Sequence, residues 1–90
     1  LINSKSDDVN EITGAQVRAA RALLRWSAKD LAKEAGVGVA TVSRAEVEDG
    51  ATSLTSANLR AIRQALESAG IEFIPENGSG VGVRFKRPIL

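Results

Sequence analysis

The segment from Ser27 to Glu46 leaves the chain around it little freedom. The Ser27 hydroxyl can accept from the backbone N–H of Lys29 or Asp30, and Asp30 places a negative charge in the first turn, so a helix starts here. Trp26, just before that cap, is positioned to pack on Leu31 as a hydrophobic staple. The helix must be short, because Gly36 can take the left-handed conformation that closes it after Ala35. A further helix follows almost at once, from about Val39 to Val47, with Gly38 as its N-cap. Leu31, Ala32, Ala35, Val37 and Val42 fall on the inside of the corner. Ala32 is small where the two helices must approach, Val37 plugs the bend, and Val42 pins the later helix from below. Its outer face is then Val39, Ala40, Thr41, Ser43 and Arg44: short side chains and one long basic one.

The flanks extend this corner into a small helical body. Thr13 with Gln16 three residues on is a capping-box pattern, and the spacing of Val17, Ala20 and Leu24 predicts a helix from about Gly14 to Arg25. Glu48 to Ser53 reads as a loop around the turn dipeptide Asp49-Gly50. Thr55 or Ser56 caps a fourth helix running to about Ala69, with Leu59, Ile62, Ala65 and Leu66 as its apolar stripe and Gly70 as its stop. The pattern then changes. Ile71 to Ile74 is strand-like, Val81 to Lys86 alternates with Val81, Val83 and Phe85 on one face, and Pro75 to Gly80 between them is a turn segment containing Asn77-Gly78. The expected organisation is a flexible arm at 1–12, a helical domain at 13–70 and a β-hairpin at 71–90, with no internal repeat.

Composition removes whole classes of chemistry. The 90 residues contain no cysteine and no histidine, which excludes disulfides, thiolate metal sites and the commonest general base. No nucleophile–base pair and no metal-ligand constellation stands out, so no enzyme, cofactor or metal is expected. Net charge is only +1, with acids gathered at Asp7, Asp8 and Glu11 and bases at Arg84, Lys86 and Arg87. No stretch is apolar enough to suggest a membrane span or a signal peptide. The chain begins at Leu1 and not at methionine, which fits a piece of a longer protein.

A helix that enters the major groove of duplex DNA needs an outer face slim enough to reach base edges. Asp30-Leu31-Ala32, Ala35-Gly36-Val37 and Thr41-Val42-Ser43-Arg44 followed by Glu46, at this spacing, resemble the helix-turn-helix of the phage-repressor and Cro type, the xenobiotic-response-element (XRE) family. The resemblance runs from about Gly14 to Gly70. It implies a mainly α fold, a four-helix repressor-like helix-turn-helix domain followed here by the C-terminal hairpin in place of the family's usual fifth helix. It also implies a bacterial, cytoplasmic, nucleoid-associated transcriptional regulator that binds double-stranded DNA. Carried over by position, Val39, Ala40, Thr41, Ser43 and Arg44 would face bases or nearby phosphates, with Gly38 at the helix start. Ser27 and Lys29 would lie against the DNA backbone, and Arg21 would pair with Glu46 to tie the first helix to the third. Ser53, Thr55 and Asn58 would supply phosphate contacts after the recognition helix. Two features depart from the family: Ala28 stands where a glutamine is common, and Glu48 and Asp49 would repel phosphate where bases are common.

A lone hairpin is marginal and leaves edges exposed. Pairing with a second chain through Ile71, Phe73, Val81, Val83 and Phe85 would extend the sheet, and a two-fold homodimer would present two recognition helices to a palindromic operator. Removing residues 71–90 is then expected to give a monomer. The alternative reading is a protein-binding module, an antitoxin or anti-activator, for which the weak net charge, Ala28 and the acidic loop speak.

Overall fold

The computed structural model describes residues 12–88. Thr13 opens the first helix, α1 (Gly14–Leu24), through a reciprocal cap. Its hydroxyl accepts from the Gln16 N–H at 3.1 Å, and Gln16 Oε1 accepts from the Thr13 N–H at 2.8 Å. α1 ends one residue before the spacing predicts, because Arg25 adopts a left-handed conformation (φ 59°) and its N–H turns back to the carbonyls of Arg21 and Ala22. A left-handed arginine is strained relative to glycine, but it reverses the chain sharply enough for Ser27 to cap the next helix.

That helix, α2 (Ala28–Ala35), is bounded as the residues dictate. Ser27 and Asp30 form a second reciprocal cap, and Gly36 closes the helix at φ 72°. α3 (Val39–Glu46) follows Gly38 and also stops one residue short of expectation, at Val47. α4 (Ser56–Ser68) is capped by Thr55, whose hydroxyl accepts from the Asn58 N–H at 3.2 Å. The chain finishes in an antiparallel hairpin of β1 (Ile71–Ile74) and β2 (Gly82–Phe85). β2 is shorter than the alternation from Val81 to Lys86 suggests. Ile71 lies opposite Phe85, Glu72 opposite Arg84, Phe73 opposite Val83 and Ile74 opposite Gly82. Among the described residues the fold is mainly helical, four helices and then a two-stranded hairpin, as the sequence predicts.

One core serves both parts. Val17, Leu31, Val42, Ile62 and Leu66 have no exposed surface, and neither does Ile71 from the hairpin. Burying a side chain of this size contributes roughly 1.5–3 kcal/mol. Phe73 is 8% exposed beside them, with the Arg63 guanidinium 5.4 Å from its ring centroid. Val83 and Phe85 close over the same cluster. Of the expected arm, only Ile12 lies within the described residues, and it is buried.

Two contacts fix α1 against its surroundings. The loop after α3 docks on its N-terminus: Gly14 N–H donates to Gly50 O at 2.9 Å and Ala15 N–H to Asp49 O at 3.3 Å, satisfying amides that a helix leaves unpaired. A Cβ at Gly14 would land on the Glu48 carbonyl oxygen, so only glycine permits this approach. On the other side Gln16, itself buried, donates from Nε2 to Ile74 O at 3.3 Å and Gly82 O at 2.9 Å, clamping the turn end of the hairpin.

Candidate nucleic-acid interface

α3 divides cleanly into two faces. Val42 and Ala45 are buried against the core, while Val39, Ala40, Ser43 and Arg44 are exposed and Thr41 is half-buried. Positions 39, 40, 43 and 44 share one side of a helix, so this face is built only of small or short side chains and one arginine. Among the described residues Arg44 has neither an ion-pair nor a hydrogen-bond partner. Gly38 caps α3 without a side chain and leaves its first turn open to solvent.

The Ser27 and Lys29 side chains are exposed at the start of α2. The Ser27 hydroxyl accepts from the Asp30 N–H at 3.0 Å, and the Asp30 carboxylate accepts from the Ser27 N–H at 2.9 Å. The backbone hydrogen bond from Ser27, then its side chain, hold the Asp30 carboxyl below its ordinary range, so this helix end already carries a negative charge. At the start of α4, Ser53 and Thr55 are exposed and Asn58 is half-buried.

The corner is braced from behind. Arg21 of α1 grips Glu46 of α3 with two bonds, Nε to Oε2 at 2.7 Å and Nη2 to Oε1 at 2.9 Å, and its third nitrogen donates to Trp26 O at 3.0 Å. The hydrogen bond to Glu46 raises the Arg21 pKa further, against the lowering effect of burial. Such planar, two-point pairing sets helix orientation as well as energy. Arg18 donates to Glu46 O at 2.6 Å and pairs with Asp49 at 2.5 Å. One of the two acids in the loop after α3 therefore faces a cation.

Two short helices meeting at a glycine corner, the second with a slim exposed face and an unpaired arginine, define a DNA-binding domain. A model of the helix-turn-helix family matches residues 17–71, more than half of the chain, and the protein belongs to that family, as a DNA-binding transcriptional regulator of the XRE type. No curated protein matches the chain. Among the described residues, no helix is long and apolar enough to cross a membrane.

The residues expected at a dimer contact are placed unequally. Ile71 and Phe73 are buried in the chain's own core and offer a partner little side-chain surface, whereas Val83 and Phe85 are half-buried and Val81 is 42% exposed. The Arg18–Asp49 pair and the second use of Gln16 join residues far apart in the chain, and nothing local announces them. Gly14 did carry a signal: glycine is a poor first-turn residue unless something must come close.

Proposed function

We propose that this protein is a sequence-specific regulator that binds a palindromic operator as a homodimer and acts in the bacterial cytoplasm, on the nucleoid, as a repressor or autoregulator. The observation that supports it is the exposed face of α3, slim along Val39, Ala40 and Ser43 and ending in the unpaired Arg44. In this reading Val39, Ala40 and Thr41 lie against base edges, where small apolar groups suit thymine methyls, and Arg44 reaches guanine O6 and N7. Ser27, Lys29, Gly38, Ser53, Thr55 and Asn58 hold phosphates from both sides. With one principal arginine per copy, a second copy on the next half-site, about 34–36 Å away along the duplex, supplies the remaining affinity.

Selection of bound sites from random duplex DNA tests the reading directly. A two-fold symmetric site, bound with a steep salt dependence, is expected. Against that site Arg44→Ala is expected to lose about 1–3 kcal/mol and to relax preference at the base it contacts. Unchanged affinity of Arg44→Ala removes its assigned role. Failure to bind any duplex at low salt turns the reading toward the protein-binding alternative.

A further inference from the structure

The hairpin has two edges, and the hydrogen-bond pattern distinguishes them. Lys86 N–H donates to Gly70 O at 2.8 Å, which makes Gly70 and Lys86 a hydrogen-bonded pair of the ladder. Antiparallel pairs alternate, so Glu72–Arg84 and Ile74–Gly82 are hydrogen-bonded while Ile71–Phe85 and Phe73–Val83 aim their backbone groups away from each other. On β1 the outward positions are Ile71, Phe73 and then Pro75, which has no N–H to offer, so this edge is blunted. On β2 they are Val81, Val83 and Phe85, all able to donate and accept. Among the described residues the outward groups of Val83 and Phe85 bond to nothing. Beside this edge runs a groove between α1 and β2, floored by Ala15 and Ala19 and walled by Val81 and Val83. Ala19 is exposed, and Leu23, one turn further along α1, is 39% exposed.

We propose that a second copy of this chain occupies the β2 edge, its own β2 running antiparallel with the two-fold axis at Val83, so that the hairpins join into one four-stranded sheet. This rests on the homodimer proposed above and names its register. Outward positions must pair with outward positions, which leaves a short choice of axes. An axis at Arg84 sets Arg84 against the partner's Arg84, two like charges directly opposite. An axis at Val83 sets Arg84 against the partner's Gly82, where there is no side chain to meet, and leaves each Arg84 with its own Glu72 at 3.2 Å. The same register brings the exposed Val81 opposite the partner's Phe85. It also brings Lys86 to the partner's Gly80, whose N–H the partner's Glu76 carboxylate already holds at 3.1 Å, so opposite charges meet at both ends. The small alanines of α1 leave room for the incoming strand.

The chain has no cysteine, so single cysteines report the register without background. Residues in a hydrogen-bonded antiparallel pair have Cα atoms about 5.5 Å apart, inside the roughly 4.4–6.8 Å that a disulfide spans. In the full chain without DNA, Val83→Cys is expected to give a covalent dimer on mild oxidation, and Arg84→Cys to stay uncross-linked. Cross-linking of Arg84→Cys alone moves the axis and overturns the register. A dimer by sedimentation in which neither variant cross-links overturns the β2 interface, and a wild-type chain that sediments as a monomer overturns both the interface and the homodimer. Should Val83→Cys misfold, the wild-type amides of Val83 and Phe85 serve instead: their exchange must slow as protein concentration rises, and no change overturns the proposal. Cross-linking at Val83 in a chain that selects no DNA site leaves the interface standing and removes only the DNA-binding role.

Discussion

Gly14 and Gln16 sit in the same turn of α1 and carry different burdens. At Gly14 the backbone of the following loop occupies the space a side chain would need, and backbone cannot step aside cheaply. Gly14→Ala is therefore expected to destabilise the fold by about 3 kcal/mol, despite the better helix propensity of alanine. A urea titration should show a lower midpoint with an unchanged slope. A neutral or stabilising result would mean that the loop is not docked on α1. Gln16 has both amide donors and its acceptor oxygen engaged, so Gln16→Glu swaps a nitrogen facing two carbonyls for an oxygen. The cost expected is about 3 kcal/mol, the penalty of burying a charged group against like dipoles. Faster amide exchange along β1 and β2 should accompany it. Only half of this residue's part is legible in the sequence. Its bond to Thr13 follows from a three-residue spacing, while Ile74 and Gly82 lie 58 and 66 residues away and the pairing depends on how the hairpin folds back.

At the scale of elements, legibility follows locality. Ser27, Asp30, Gly36 and the apolar spacing each act within one turn, so α2, its corner and the start of α3 stand where the residues place them. The boundary of α1 missed by one residue because Arg25 takes a conformation that sequence reserves for glycine or asparagine. The strands were readable from alternation, but not which of their apolar residues the helices would claim, since Ile71, Phe73, Val83 and Phe85 look alike in that pattern. The cap of α2 gives a prediction in pH. Hydrogen bonds from Ser27 depress the Asp30 carboxyl in the folded state relative to its ordinary value of 3.8. The folded state thus prefers the ionised form: its contribution is present above about pH 4 and is lost as pH falls through the depressed value. Thermal melts of wild type and Asp30→Ala should differ at pH 7 and converge as the solution is acidified through the depressed value. A gap that stays constant across that range would show that the carboxylate does not act as the cap.

Across the whole molecule, hairpin and helices share one hydrophobic centre, which changes what a deletion means. Removing residues 71–90 takes Ile71 and Phe73 out of the core as well as any partner edge, so a truncated chain is expected to unfold and not to report on dimerisation. The sharing itself is testable with the chain's one tryptophan. Trp26 lies between α1 and α2, half-buried against the same cluster that Ile71 enters from the hairpin. Ile71→Ala should cost about 2–5 kcal/mol, as for other large aliphatic residues truncated in a core. If the core is one cooperative unit, Trp26 fluorescence and helical circular dichroism must both shift to the new midpoint and must coincide. Should Trp26 keep the wild-type transition while strand amides alone become exchangeable, the hairpin would be a separable flap. The proposed four-stranded sheet could then not fix the spacing of two copies of α3, because the element carrying the proposed interface would move independently of that helix.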